Sequence, residues 1–206
     1  MSSRKWVLFD IGGVLEVVDD DTWGQLFVRR WQERSGFSAE EYRARLTSAE
    51  LPDISRQENV RAEYWAQIGQ ALNVDQTFVE AMEAEMWHEY CGSLNTELFE
   101  YAAALRPRAG VAILSNSVDG ARREEERRFG FSEVFDPILY SHETGLLKPE
   151  SEAYENALER LGADADDVLF IDDHEVCAEG ARAVGMDAIV HRDNRSTINE
   201  IEQFLL

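Results

Sequence analysis

Asp10 follows the apolar run 6–9 and is itself followed by Gly12 and Gly13. Ser115 and Asn116 follow the apolar run 111–114, and the pair Asp172-Asp173 follows the run 168–171. Lys148 lies in Leu147-Lys148-Pro149-Glu150, ahead of a helical pattern. If the runs are strands of one α/β sheet, their polar ends gather at one edge, where ligands bind. A carboxylate, a hydroxyl with an amide, an ammonium and a carboxylate pair gathered there suit a magnesium ion and a phosphoryl group. One oxygen of Asp10 can bind the metal while the other attacks phosphorus, and the glycines let the backbone approach a ligand. Each segment alone has an ordinary reading as a turn, a helix cap or a solvated acidic bend. Four of them at matching places in the pattern make a site.

Lysine usage sharpens one member of the set. The chain has 18 Arg but only two Lys, Lys5 and Lys148. A sequence that writes Arg for generic cations keeps Lys148 where a compact ammonium is needed rather than a planar fork.

The elements that position these residues are legible from periodicity. A buried strand is expected over residues 5–11. Helices are expected over 22–34, 38–47, 55–72 and 75–90. The wordings Ser38-Ala39-Glu40-Glu41 and Ser55-Arg56-Gln57-Glu58 both read as capping boxes. Strands and helices then alternate: helix 96–105, strand 111–114, helix 118–129, strand 136–140, helix 151–161, strand 168–171, helix 175–184, strand 188–190 and helix 197–206. Such alternation implies right-handed crossovers and a parallel sheet. The fold class is α/β, a Rossmann-like core interrupted by an inserted helical domain. Trp23, Trp31, Trp65 and Trp87 fall in the insertion, spaced to form its own core.

Composition narrows the function classes. With 206 residues, 44% of them apolar, the chain is an ordinary globular protein rather than a disordered one. A net charge of −21 argues against nucleic acid as a partner and reads as a solubilising surface. No apolar run is long enough to span a membrane, and residues 1–5 run straight into a strand pattern, so no signal peptide is expected. Two cysteines, Cys91 and Cys177, are too few for a disulfide framework and point to reduced thiols in the cytoplasm.

The segments FDIGGVL, ILSNS, GLLKPE and FIDD resemble the haloacid dehalogenase-like hydrolases, across essentially the whole core. The wording is nearest the branch with sugar-phosphate phosphatases and the N-terminal phosphatase domain of soluble epoxide hydrolases. The resemblance implies a three-layer core at 1–15 and 92–206 and a type-1 helical cap at 16–91. It implies a magnesium-dependent phosphomonoester hydrolase of a small phosphorylated metabolite such as a sugar phosphate, as a monomer or homodimer. Asp10 would be the nucleophile that becomes phosphorylated. Ser115 and Asn116 would hold the phosphoryl oxygens, with Lys148 neutralising charge between them and Asp10. Asp173 would ligate magnesium with the Gly12 carbonyl and Asp10, and Asp172 would stand at or just behind the metal.

The sequence also departs from that pattern. Most phosphatases of the family carry a second Asp two residues after the nucleophile, which protonates the leaving alcohol and then activates water. Here that position is Gly12, although Asp-x-Gly wording does occur in the sugar-phosphate branch. Losing such an acid costs about 10²- to 10⁴-fold. Glu16, Asp19 and His142 are the nearby replacements, each expected as a solvated surface group. Cys177 takes a place where the family has Asp or Asn, and is expected to be buried against the sheet. Two other functions compete: a metal-independent 2-haloacid dehalogenase, against which the acid pair counts, and a catalytically degenerate binding module.

Overall fold

The computed structural model describes residues 4–18 and 22–206. After β1 (Trp6–Phe9) and the short β2 (Glu16–Val17) come four helices: α1 (Trp23–Ser35), α2 (Ala39–Ser48), α3 (Arg61–Leu72) and α4 (Gln76–Cys91). Then follow β3 (Ser93–Leu94), α5 (Thr96–Leu105), β4 (Gly110–Ser115), α6 (Ala121–Phe129), β5 (Ile138–Tyr140) and a one-turn helix α7 (Ser141–Thr144). The chain closes with α8 (Ser151–Leu161), β6 (Val168–Asp172), α9 (Glu175–Ala183), β7 (Asp187–Val190) and α10 (Asn194–Phe204). Five strands form a parallel sheet in the order β5-β4-β1-β6-β7.

Parallel strands covered on both faces read as unbroken apolar runs, which is why 6–9, 111–114 and 168–171 stood out. Their side chains still divide by face. Val7, Phe9, Val111, Ile113, Leu169 and Ile171 pack with Leu98, Ala102 and Ile201 of α5 and α10. Leu8, Ala112, Leu114, Val168 and Phe170 pack with Tyr154, Ala157, Cys177 and Ala181 of α8 and α9. The result is the expected three-layer, Rossmann-like core. Phe9 pairs with Ile113 on one side and Ile171 on the other. That register puts Asp10 and Asp172 level, each one residue past a paired position, with Ser115 one residue farther on.

β2 and β3 pair antiparallel, Glu16 with Leu94 and Val17 with Ser93, and the four-helix block leaves and returns through this two-stranded stem. Short stems like this carry too little periodicity to be seen in sequence. Trp31, Trp65 and Trp87 are buried within the block, and Trp23 packs edge-on against Phe27 and Tyr90. Ser38 caps α2 by accepting from the Glu41 amide at 3.2 Å, and Asp75 caps α4 through the Phe78 amide at 2.9 Å. Among the described residues, no helix is long and apolar enough to cross a membrane.

The second expected capping box is not formed. Residues 55–60 carry no helix, because the Asp53 carboxylate accepts both the Ser55 amide (3.0 Å) and its hydroxyl (2.6 Å), a local turn that competes with helix. α3 instead begins at Arg61, and its cap comes from elsewhere in the chain. Asp119, in the loop after β4, accepts from the Val60 and Arg61 amides at 2.8 and 2.7 Å. The helix after that loop starts at Ala121 rather than 118, since Gly120 at φ +104° ends the loop in a left-handed conformation.

α6 hides one acid in a strongly charged stretch. Glu125 is fully buried, accepting from the Tyr140 hydroxyl with one oxygen, while its Oε1 has no hydrogen-bond partner among the described residues. Burial raises its pKa from 4.5 to about 7, against the Tyr140 bond and Arg122. The folded protein therefore binds a proton that the unfolded chain lacks between these values. Stability falls as pH rises through that window, by on the order of 3 kcal/mol if nothing else relaxes. The expected result is that Glu125→Gln gains stability relative to wild type at about pH 8 and loses that advantage at about pH 4.5. Thermal unfolding at the two pH values measures it, and a pH-independent difference would contradict it.

Candidate active site

The four segments singled out in the sequence converge at the carboxyl edge of the sheet. Lys148 is buried, its Nζ 2.8 Å from Asp10 Oδ1 and 2.6 Å from Asp172 Oδ2. One ammonium thus holds the ends of β1 and β6 together. Burial alone would lower the Lys148 pKa, but Asp10 and Asp172 more than reverse this and keep it charged. Burial pushes the Asp10 carboxyl upward; Lys148 opposes the shift and Asp172 adds to it. Two carboxylates on one ammonium leave an excess negative charge, and Asp173 adds a third.

Each Asp172 oxygen already has a partner. Oδ2 takes Lys148, and Oδ1 accepts the His174 amide at 2.8 Å. Asp173 is partly exposed and lies against Gly13. A Cβ added at Gly13 would lie 2.3 Å from its Oδ2, so this carboxylate occupies the space that the missing side chain leaves. Gly13 also sits at φ +67°, and any other residue there would be both strained and in collision with Asp173. Asp173 Oδ1 meets His174 Nδ1 at 2.7 Å. Asp172, Asp173 and His174 each offer a ligand atom within 4.8 Å of the others. The donor set suits magnesium: carboxylate oxygens, excess negative charge, and a side-chain-free backbone at Gly13 against which Asp173 lies.

Ser115 is buried at the tip of β4, and its hydroxyl makes only a long 3.4 Å contact to the Asn116 carbonyl. The Asn116 amide is engaged in a role that its sequence position did not reveal. Its Nδ2 donates to the Lys148 carbonyl at 2.9 Å, and its Oδ1 accepts the Lys148 amide at 2.8 Å. This two-point clamp fixes the Lys148 backbone, leaving the ammonium to the carboxylates. The helix after Lys148 begins at Ser151, as expected.

The replacement acids fare differently from expectation. His142 is buried rather than solvated, with Nδ1 2.7 Å from Ser117 Oγ and its pKa lowered by burial. Ser141 Oγ accepts the Ser117 amide at 2.9 Å. Ser141 and His142 are both occupied in fixing Ser117, in the loop that follows Ser115. Glu16 is buried too, at 1% exposure, because β2 turns it inward. Asp19 lies outside the described residues. Cys177 is buried in α9 as expected. Burial pushes its thiol up to about 12 although Lys148 opposes this, so it is not a reactive thiolate.

Sequence reasoning missed Asp119, Arg56 and His174. Arg56 donates to the Gly145 carbonyl at 2.8 Å and pairs with Glu150, so residues of the helical block flank the Lys148 loop. His174 directly follows the acid pair, and the triplet Asp172-Asp173-His174 was a readable signal. The His174 ring is half-exposed; burial works against its protonation, but the charge and hydrogen bond of Asp173 raise its pKa.

The protein is an α/β protein whose five-stranded parallel sheet carries an inserted helical block and a lysine bridging two strand-end aspartates. The chain matches the haloacid dehalogenase-like hydrolase family over residues 4–185 and belongs to it. It is 27% identical over 143 residues to the bifunctional epoxide hydrolase 2 of Rattus norvegicus, covering 67% of this chain but only 24% of that protein. The chain thus spans about a quarter of the length of that relative. A phosphatase of Mycobacterium tuberculosis is 28% identical over 209 residues, covering 88% of this chain and 84% of its own. Among solved structures, a haloacid dehalogenase family enzyme of Bacteroides thetaiotaomicron, in complex with magnesium and inorganic phosphate, superposes with a TM-score of 0.72. That pair is 22% identical, with 95% of this chain and 99% of the other covered, a likeness of fold.

Proposed function

We propose that the protein is a magnesium-dependent phosphomonoesterase acting on a small phosphorylated metabolite, with the helical block as a cap over the site. The observation that carries this reading is the Lys148 ammonium shared by Asp10 and Asp172, with Ser115 at the end of the neighbouring strand β4 and a third carboxylate, Asp173, facing Gly13. Asp10, Asp173 and the Gly12 carbonyl would hold magnesium, which would screen the charge of the phosphoryl group from that of Asp10. Asp172, with both oxygens engaged, anchors Lys148 instead.

An oxygen of Asp10 attacks phosphorus, forming an O–P bond as the bond to the leaving oxygen breaks. Lys148 and the Ser115 hydroxyl stabilise the charge spread over the equatorial oxygens. The leaving alkoxide takes its proton from solvent, since Gly12 offers none. Water then attacks phosphorus, the bond to Asp10 breaks, and phosphate leaves with Asp10 restored. A poorly basic leaving group, such as that of an anomeric sugar phosphate, needs least help from the absent acid.

The test is phosphate release from a panel of sugar and aryl phosphates with magnesium or a chelator. Turnover is expected only with magnesium, and its kcat/KM, which reports the first step whichever step limits kcat, should fall steeply as the leaving-group pKa rises. A flat dependence would contradict the missing-acid account. No turnover on any ester by folded protein would favour a binding module, and chelator-resistant release of halide from a 2-haloacid would favour a dehalogenase.

A further inference from the structure

His174 is a half-exposed side chain in the turn between β6 and α9. Its ring nitrogen Nδ1 lies 2.7 Å from Asp173 Oδ1, with Asp172 Oδ1 farther off at 3.8 Å. An ionised carboxylate only accepts, so Nδ1 carries the proton and donates it. The terminal torsion of an aspartate is broad and nearly two-fold, and an unanchored Asp173 would sample many orientations. The imidazole takes one oxygen and so determines which one remains. The remaining oxygen, Oδ2, lies against Gly13, where only a glycine leaves room for it. From the other side, the His174 amide donates to Asp172 Oδ1, so one residue ties down both members of the acid pair.

We infer that His174 is a positioning residue for the metal site: it presents Asp173 Oδ2 to the cation by holding Oδ1, and does not itself ligate. The inference rests on the magnesium site proposed above. Magnesium demands near-ideal octahedral geometry, so an oxygen fixed beforehand raises affinity by sparing the ordering cost. Hydrogen-bonding partners behind a ligand are typically worth 10- to 100-fold in metal affinity.

The experiment is calorimetric titration of the metal-free full chain with magnesium chloride, for wild type, His174→Ala and His174→Asn, with thermal unfolding measured without metal. Asn places an amide N–H close to where the imidazole Nδ1–H lies. His174→Ala is expected to weaken magnesium binding about 10- to 100-fold while leaving the metal-free unfolding midpoint unchanged. His174→Asn should restore most of the loss. Equal affinity of wild type and His174→Ala would overturn the inference and leave the metal site standing. Nitrogen hyperfine coupling in the paramagnetic resonance of manganese-loaded wild type would also overturn it, by showing the ring as a ligand. Wild type that binds no magnesium at all would remove the proposed site and this inference together.

Discussion

Asp10→Asn is expected to reduce magnesium-dependent phosphate release by about 10⁴-fold or more while leaving the protein folded. The loss follows from the nucleophile's role: an amide oxygen neither attacks phosphorus usefully nor contributes charge to the cation. The preserved fold follows from the charges. In the wild type two carboxylates share the Lys148 ammonium, and burial raises the Asp10 pKa, so its ionised form carries a folding cost. Asn removes that charge and leaves Lys148 paired with Asp172 alone. The unfolding midpoint without metal is therefore expected to stay level or rise. A variant that loses activity only because it unfolds would contradict this account of the site.

Lys148→Met should fail in the opposite way, losing stability as well as turnover. Met matches the length of the buried stem but leaves Asp10 and Asp172 facing each other without a cation, both under 10% exposed. Removing one partner of a buried ion pair costs about 3–5 kcal/mol. Protonation of one carboxyl relieves part of this, so the deficit should shrink as the pH is lowered through the raised Asp10 range. Catalysis should fall by at least the 10²- to 10³-fold typical of removing one charge-stabilising donor. Chemical denaturation across pH, with phosphate release on the best ester, measures both effects. Wild-type stability in this variant would contradict the bridging role of the ammonium.

Much of the site was legible because a parallel sheet forces chemistry to the ends of apolar runs. Phe9-Asp10, Leu114-Ser115 and Ile171-Asp172 each mark the point where a buried strand meets polar groups, and the register places them together. The scarcity of lysine made Lys148 stand out, and the structure places it between the two carboxylates. What was not legible depends on partners distant in sequence. Ser55 to Glu58 has the wording of a capping box, yet Asp53 closes a tighter local turn and Asp119, 59 residues after Val60, caps the helix instead. The two hydrogen bonds between the Asn116 amide and the Lys148 backbone join residues 32 positions apart, which no local pattern announces. Glu16 and His142 have the types of surface residues, and it is β2 and the Ser117 loop that carry them inward.

Gly12 makes the central claim open to direct test. A residue that cannot protonate a leaving group also cannot activate the water that releases the phosphoaspartate. The second step should be slow enough for the covalent species to accumulate on esters with good leaving groups. The measurement is acid quenching of the protein during turnover of a phosphorus-labelled aryl phosphate, followed by peptide mapping. Label that is hydroxylamine-sensitive, confined to the peptide containing Asp10, and absent with chelator or in Asp10→Asn is the result predicted. Rapid phosphate release with no labelled protein at any quench time, or label on another residue, would contradict it.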